Sequence, residues 1–107
     1  MRIVLDGMGG DNAPQVVVEG AVAATKEMLH EIIIVGQEEA INECLKNTGY
    51  TGDKISVVNA TEVITNEEAP VRAVRSKKDS SIVKGINMVK AGEGDVFISA
   101  GSTGALL

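Results

Sequence analysis

The chain is predicted to be an α/β protein built on a parallel, doubly wound sheet. Short apolar runs without polar alternation, such as Ile32-Ile33-Ile34-Val35, are those of strands covered on both faces. Between them stand stretches with apolar positions at helical spacing, joined by short connections, which is the pattern of successive βαβ units. Two of the strands also run straight into glycine-rich loops, Met8-Gly9-Gly10-Asp11-Asn12 and Ser99-Ala100-Gly101-Ser102-Thr103-Gly104. Ligands of open α/β sheets bind outside the carboxyl ends of the strands, so both loops are expected at one functional edge.

The first strand is expected at Arg2–Gly7, central in the sheet because Ile3, Val4 and Leu5 are apolar in succession. Pro14 suits the first turn of a helix, with Asn12 or Ala13 as its cap. That helix is expected to run to about Leu29, burying Val17, Val18, Ala21, Val22, Ala24, Met28 and Leu29, with Lys26 and His30 complementing its dipole. Glu31–Gly36 is the strongest strand in the chain. Gln37–Asn47 follows as a helix, with Glu38 and Glu39 in its first turn and Ile41, Cys44 and Leu45 inward. Ile55–Val58 is a third strand. Residues 63 to 69 are less regular, and Pro70–Arg75 reads as one or two helical turns. A further helix, capped by Asp79 or Ser80 and running to about Ala91, turns Ile82, Val83, Ile86 and Val89 inward before Gly92 and Gly94 end it. Val96–Ile98 is the last strand, and Ala105-Leu106-Leu107 opens a helix.

Composition narrows the function. Apolar residues make up 44% and charged residues 23%, ordinary for a globular protein, while aromatics are only 2%. With no stacking platform and a net charge of -5, the chain is not expected to bind nucleic acid. A single Cys44 excludes an internal disulfide or a cysteine metal cluster and suits a reducing cytoplasm. No apolar run approaches the roughly 18 residues needed to span a bilayer. The N-terminus enters a strand after one Arg, so no signal peptide is expected.

The terminal loop, from Ser99 to Gly104, has the chemistry of an anion site. A strand end leads to a helix start, whose first N–H groups lack intrahelical partners, and small residues let a ligand approach the backbone. Read plainly, it is also a βα turn whose Ser or Thr caps a helix. The first loop sets adjacent Gly9 and Gly10 between Asp6 and Asp11. It reads either as a tight turn with carboxylates bonded to local N–H groups, or as a cradle in which Asp11 or Asn12 orients a reacting group. Arg72, Arg75, Lys77 and Lys78 are basic within an acidic chain. They form either a solvated face or, beside a helix start at Ser80-Ser81, the positive charge of an anion site. His30 is expected far from the ligand edge, and Cys44 as a small buried hydrophobe. The absence of GxGxxG after the first strand counts against a dinucleotide cofactor.

Three stretches, MGGDNAP at 8–14, APVRAVRSKKDSS at 69–81 and SAGSTGALL at 99–107, together resemble the N-terminal part of the PlsX family of bacterial phosphate acyltransferases. The family commonly reads SAGNTGA, where this chain has Ser102. A hydroxyl there can cap a helix or donate to phosphate, but does not supply the paired donor and acceptor of an amide. The resemblance implies a three-layer, Rossmann-like fold similar to isocitrate and isopropylmalate dehydrogenases, with residues 1–107 the N-terminal portion of one α/β domain. It implies an enzyme that moves a fatty acyl group from acyl carrier protein to inorganic phosphate, as a cytoplasmic homodimer peripheral to the membrane, without metal or cofactor. The acyl phosphate would feed a membrane glycerol-phosphate acyltransferase. Asp11, Asn12 and Lys78 are then expected to take catalytic roles, and Gly9, Gly10, Lys77, Ser80, Ser81, Ser99, Gly101, Ser102, Thr103 and Gly104 to bind phosphate or acyl donor. Two alternatives are a phosphotransacetylase-like enzyme using coenzyme A and, for this stretch by itself, a non-catalytic anion-binding module. The stretch alone is expected to be inactive.

Overall fold

The apolar runs become four parallel strands of one sheet in a computed structural model that describes residues 1–8, 13–27, 30–61 and 80–99. The strands are β1 (Arg2–Asp6), β2 (Glu31–Gly36), β3 (Ile55–Asn59) and β4 (Val96–Ile98), in the order β3-β2-β1-β4. β1 is flanked on both sides, aligned from Arg2 with Glu31 to Asp6 with Val35, and from Ile3 with Val96 to Leu5 with Ile98. Its central place is the one its uninterrupted apolar run predicted.

Three helices among the described residues cover the sheet: α1 (Gln15–Thr25), α2 (Glu38–Thr48) and α3 (Ser81–Lys90). Side chains alternate across a strand, and the packing divides accordingly. Leu5, Ile32, Ile34, Ile55 and Val57 meet Val18 and Ala21 of α1 and Ile41, Cys44 and Leu45 of α2. Val4, Ile33, Val35, Val58 and Phe97 face the other way, onto Met88 and Val89 of α3. Layers therefore lie on both faces. The chain moves outward from β1 to β3 with α1 and α2 on one face. It then returns past β1 to β4 with α3 on the opposite face, so the connections keep one hand. The strand order reverses between β1 and β4, which is where the ligand crevice of such a sheet opens.

Helix ends differ from expectation in detail. Pro14 is itself the N-cap of α1 and makes no side-chain cap bond; its carbonyl accepts from the Val18 amide at 3.0 Å. The first turn therefore starts one residue later than a Pro14 in first position required. α1 stops at Thr25 with Lys26 as C-cap, short of Leu29, although the apolar spacing continues. Pairing explains this: the chain must return so that Glu31 N–H reaches the Met1 carbonyl, at 3.2 Å, and β2 begins beside Arg2. Met28 and Leu29 lie outside the described residues. No basic residue stands in the last turn of α1, and His30 Nδ1 instead lies 3.4 Å from the Met1 nitrogen, at the amino edge of the sheet.

α3 is capped as its sequence suggests. Ser80 is fully buried and its hydroxyl accepts from the Val83 amide at 3.2 Å. Removing that acceptor leaves an amide of the first turn unpaired, so Ser80→Ala is expected to cost about 1 kcal/mol, read as a shift of the chemical-denaturation midpoint. Gly85 sits mid-helix because a side chain there would collide with the ring of Phe97. Glycine costs about 1 kcal/mol of helix propensity relative to alanine, less than the roughly 1–3 kcal/mol of overpacking it avoids.

Candidate functional site

The carboxyl edge is organised around Asp6, the last residue of β1, which is 3% exposed. Strand alternation puts Asp6 on the same face as Val4, and Ser99 on the same face as Phe97, one register step beyond the pairing of Leu5 with Ile98. That face is the one α3 covers, and the first turn of α3 brings Ser81, 2% exposed, to the same point. Ser81 Oγ donates to Asp6 Oδ1. Ser99 Oγ donates to Asp6 Oδ2 at 2.7 Å, and the Met8 amide donates to Oδ1 at 3.0 Å. A carboxylate withdrawn from water needs such donors, and hydrogen bonds to an ionised acceptor are among the stronger ones.

The sequence placed Asp6 only at the rim of the first loop, with a local N–H partner. That partner is the Met8 amide. Its role as a junction was missed, since Ser81 and Ser99 lie 75 and 93 residues away. The available signal was an acidic residue closing an apolar strand at the parity of buried Val4.

Of the residues expected to bind or react, the structure brings Ser81 and Ser99 onto one carboxylate and sets Ser80 beside them as helix cap. Gly9, Gly10, Asp11, Asn12, Lys77, Lys78, Gly101, Ser102, Thr103 and Gly104 lie outside the described residues, as do Arg72 and Arg75. The described residues that border these stretches are nonetheless gathered. Met8 precedes residues 9–12, Ser80 and Ser81 follow residues 62–79, and Ser99 precedes residues 100–107. Met8, Ser81 and Ser99 all donate to Asp6.

Further along the same edge, Asn59 Oδ1 accepts from the Glu38 amide at 3.1 Å, closing the start of α2, while Lys84 Nζ donates to the Asn59 carbonyl at 2.6 Å. The adjoining cavity of about 590 Å³ is lined by Glu38, Glu39 and Glu43 with Gln37, Ala40, Asn59 and Thr61. Three carboxylates make this mouth unfavourable to an anion. His30 lies at the opposite, amino edge, and Cys44 is half-buried in the core beneath α2. Among the described residues no group of three or more His, Cys, Asp or Glu is placed to hold a metal, and no helix is long and apolar enough to cross a membrane.

The profile of the fatty acid synthesis protein family matches residues 1–107. The chain is 52% identical over 107 residues to the phosphate acyltransferase of Clostridioides difficile (strain 630). It is 54% identical over 109 residues to that of Clostridium botulinum (strain ATCC 19397 / Type A), and 53% over 107 residues to that of Clostridium kluyveri. Each match covers 100% of this chain and 32% of the relative, so the chain spans about a third of their length.

Proposed function

This chain belongs to the fatty acid synthesis protein family, and from that premise we propose that the full-length protein transfers a fatty acyl group from acyl carrier protein to inorganic phosphate. An oxygen of hydrogen phosphate attacks the thioester carbonyl, the carbon–sulfur bond breaks, and the phosphate proton passes to the departing thiolate. The products are acyl phosphate and the free carrier thiol. Phosphate near neutral pH is already an anionic nucleophile, so the protein has chiefly to hold it beside the thioester and to stabilise the oxyanion. The scheme uses neither metal nor cofactor.

The observation that carries this reading is the gathering of Met8, Ser81 and Ser99 on Asp6 at the switch of strand order. The stretches they border contain the glycines, hydroxyls and lysines an anion site requires. In the proposal, backbone amides of Gly101 to Gly104 hold phosphate, with Ser102 and Thr103 hydroxyls beside them, and Lys77 and Lys78 supply charge. Asp11 or Asn12, next to Gly9 and Gly10, orients phosphate or passes the proton. The rest of the proposal follows the family resemblance: a Rossmann-like sheet similar to that of isopropylmalate dehydrogenase, a homodimer in the cytoplasm at the membrane surface, and a membrane glycerol-phosphate acyltransferase that consumes the product. Val96 and Ile98, 37% and 53% exposed on β4, leave an apolar sheet margin for further chain to cover.

The test is phosphate-dependent release of carrier thiol by the full-length protein. Gly101→Val is expected to raise the phosphate KM by tenfold or more, because a β-branched side chain obstructs approach to the backbone. Lys78→Ala is expected to raise it by about ten- to hundredfold, the worth of a charge-assisted contact. His30→Ala is expected to leave both kinetic constants unchanged, and residues 1–107 alone to be inactive. Thiol release that does not depend on phosphate overturns the reading, and a preference for coenzyme A thioesters moves it to a phosphotransacetylase-like enzyme.

A further inference from the structure

Asp6 takes no part in the acyl-transfer scheme, yet it is a buried acid with three hydrogen bonds at the centre of the edge. The direction of those bonds matters. A serine hydroxyl carries one proton and otherwise accepts. Ser81 and Ser99 both direct that proton to Asp6, and a hydroxyl has no second proton to give a ligand. Phosphate is itself rich in acceptors and is bound by donors. The two hydroxyls that the family resemblance assigns to binding phosphate or acyl donor thus give their protons elsewhere.

We propose that Asp6 is a positioning residue of the anion site, holding the end of β1, the first turn of α3 and the end of β4 at one point through Met8, Ser81 and Ser99. Phosphate is then bound by the stretches that these residues border, and Ser81 and Ser99 act through Asp6 without touching it. The inference rests on the phosphate-site reading above and deepens it. A carboxylate suits the task because two acceptor oxygens can serve three donors that come from separate parts of the chain. An amide of the same shape cannot: one of its two ends donates, and a hydroxyl facing that end must turn its proton away.

The experiment titrates inorganic phosphate into the full-length protein, alongside thermal unfolding and turnover of acyl carrier protein thioester. Asp6→Asn is expected to weaken phosphate binding about tenfold or more in protein that is still folded, while the acyl-donor KM changes less than about twofold. Ser99→Ala is expected to weaken phosphate several-fold alone and hardly further in the Asp6→Asn background, since residues acting through one partner are not additive. Ser81→Ala is expected to behave in the same way. Folded Asp6→Asn that binds phosphate like the wild type overturns the proposal, as does a serine effect that is undiminished in that background. Should Asp6→Asn fail to fold, Ser99→Ala and Ser81→Ala carry the test. A lowered unfolding temperature with unchanged phosphate affinity makes the junction merely structural and overturns the proposal. A lowered affinity restored by Ser99→Thr, with the acyl-donor KM unchanged, supports it. Wild-type protein that binds phosphate without cleaving the thioester refutes acyl transfer and leaves this inference standing. Active wild type with a silent Asp6→Asn refutes the inference alone.

Discussion

Gly7→Val is expected to remove most of the stability of this part of the protein and, with it, phosphate-dependent activity. Gly7 is buried just beyond β1, and its amide donates to the Val35 carbonyl at 2.8 Å. A Cβ there would stand 2.7 Å from Ile34 Cγ2, 2.9 Å from Ile41 Cδ1 and 3.2 Å from the Val35 carbonyl oxygen. Ile41 Cδ1 is the end of a flexible side chain and can move aside. Ile34 Cγ2 is the short branch of a stiff residue in a packed strand, and the carbonyl oxygen belongs to the sheet itself. Overpacking of this kind costs about 1–3 kcal/mol for one added methyl group, and valine adds two more, so a loss above 3 kcal/mol is expected. The chain must separate from β2 to relieve it, which displaces Asp6 next door. A chemical-denaturation midpoint within about 1 kcal/mol of wild type would show that the space around Gly7 is not closed.

The second large effect is expected at Ile34. It is 0% exposed at the centre of β2 and belongs to the cluster that joins the sheet to Val18 and Ala21 of α1 and Ile41 of α2. Ile34→Ala removes buried methylenes and leaves a cavity between layers that strand pairing prevents from closing. The cost is expected at about 3–5 kcal/mol, the upper part of the range for such truncations. Ile34→Val, which removes one carbon, is expected to cost about 1 kcal/mol. Equal midpoints for the two variants would mean that this face of the sheet is loosely packed.

The two faces of the sheet were legible because their cause is local. The β-branched run Ile32–Val35 and the shorter apolar runs of the other strands mark strands locally, and helical spacing in α2 and α3 names the inward residues Ile41, Cys44, Leu45, Ile82 and Ile86 that the clusters contain. Parallel pairing followed from strands separated by helices, since a short hairpin cannot join parallel neighbours. Ends of elements were less legible. The apolar spacing that carried α1 toward Leu29 is a property of side chains, whereas the stop at Thr25 is imposed by where β2 must begin beside Arg2.

Among the described residues, the sequence by itself determined where the strands and helices lie, that the sheet is parallel, and that β1 and β4 end at the same edge, while Pro70–Arg75 and Ala105–Leu107, read from sequence as helical, lie outside the described residues. It also carried the family resemblance, since MGGDNAP, APVRAVRSKKDSS and SAGSTGALL are motifs of residue identity and spacing. Only the tertiary structure decided that Ser81 and Ser99 give their protons to Asp6 and that the acidic mouth beside α2 is set apart from them. The physical reason is range. Periodicity acts over a few residues and is written in the order of side chains. A hydrogen bond across 75 or 93 residues exists only once strand order and the face taken by α3 have placed its two ends together.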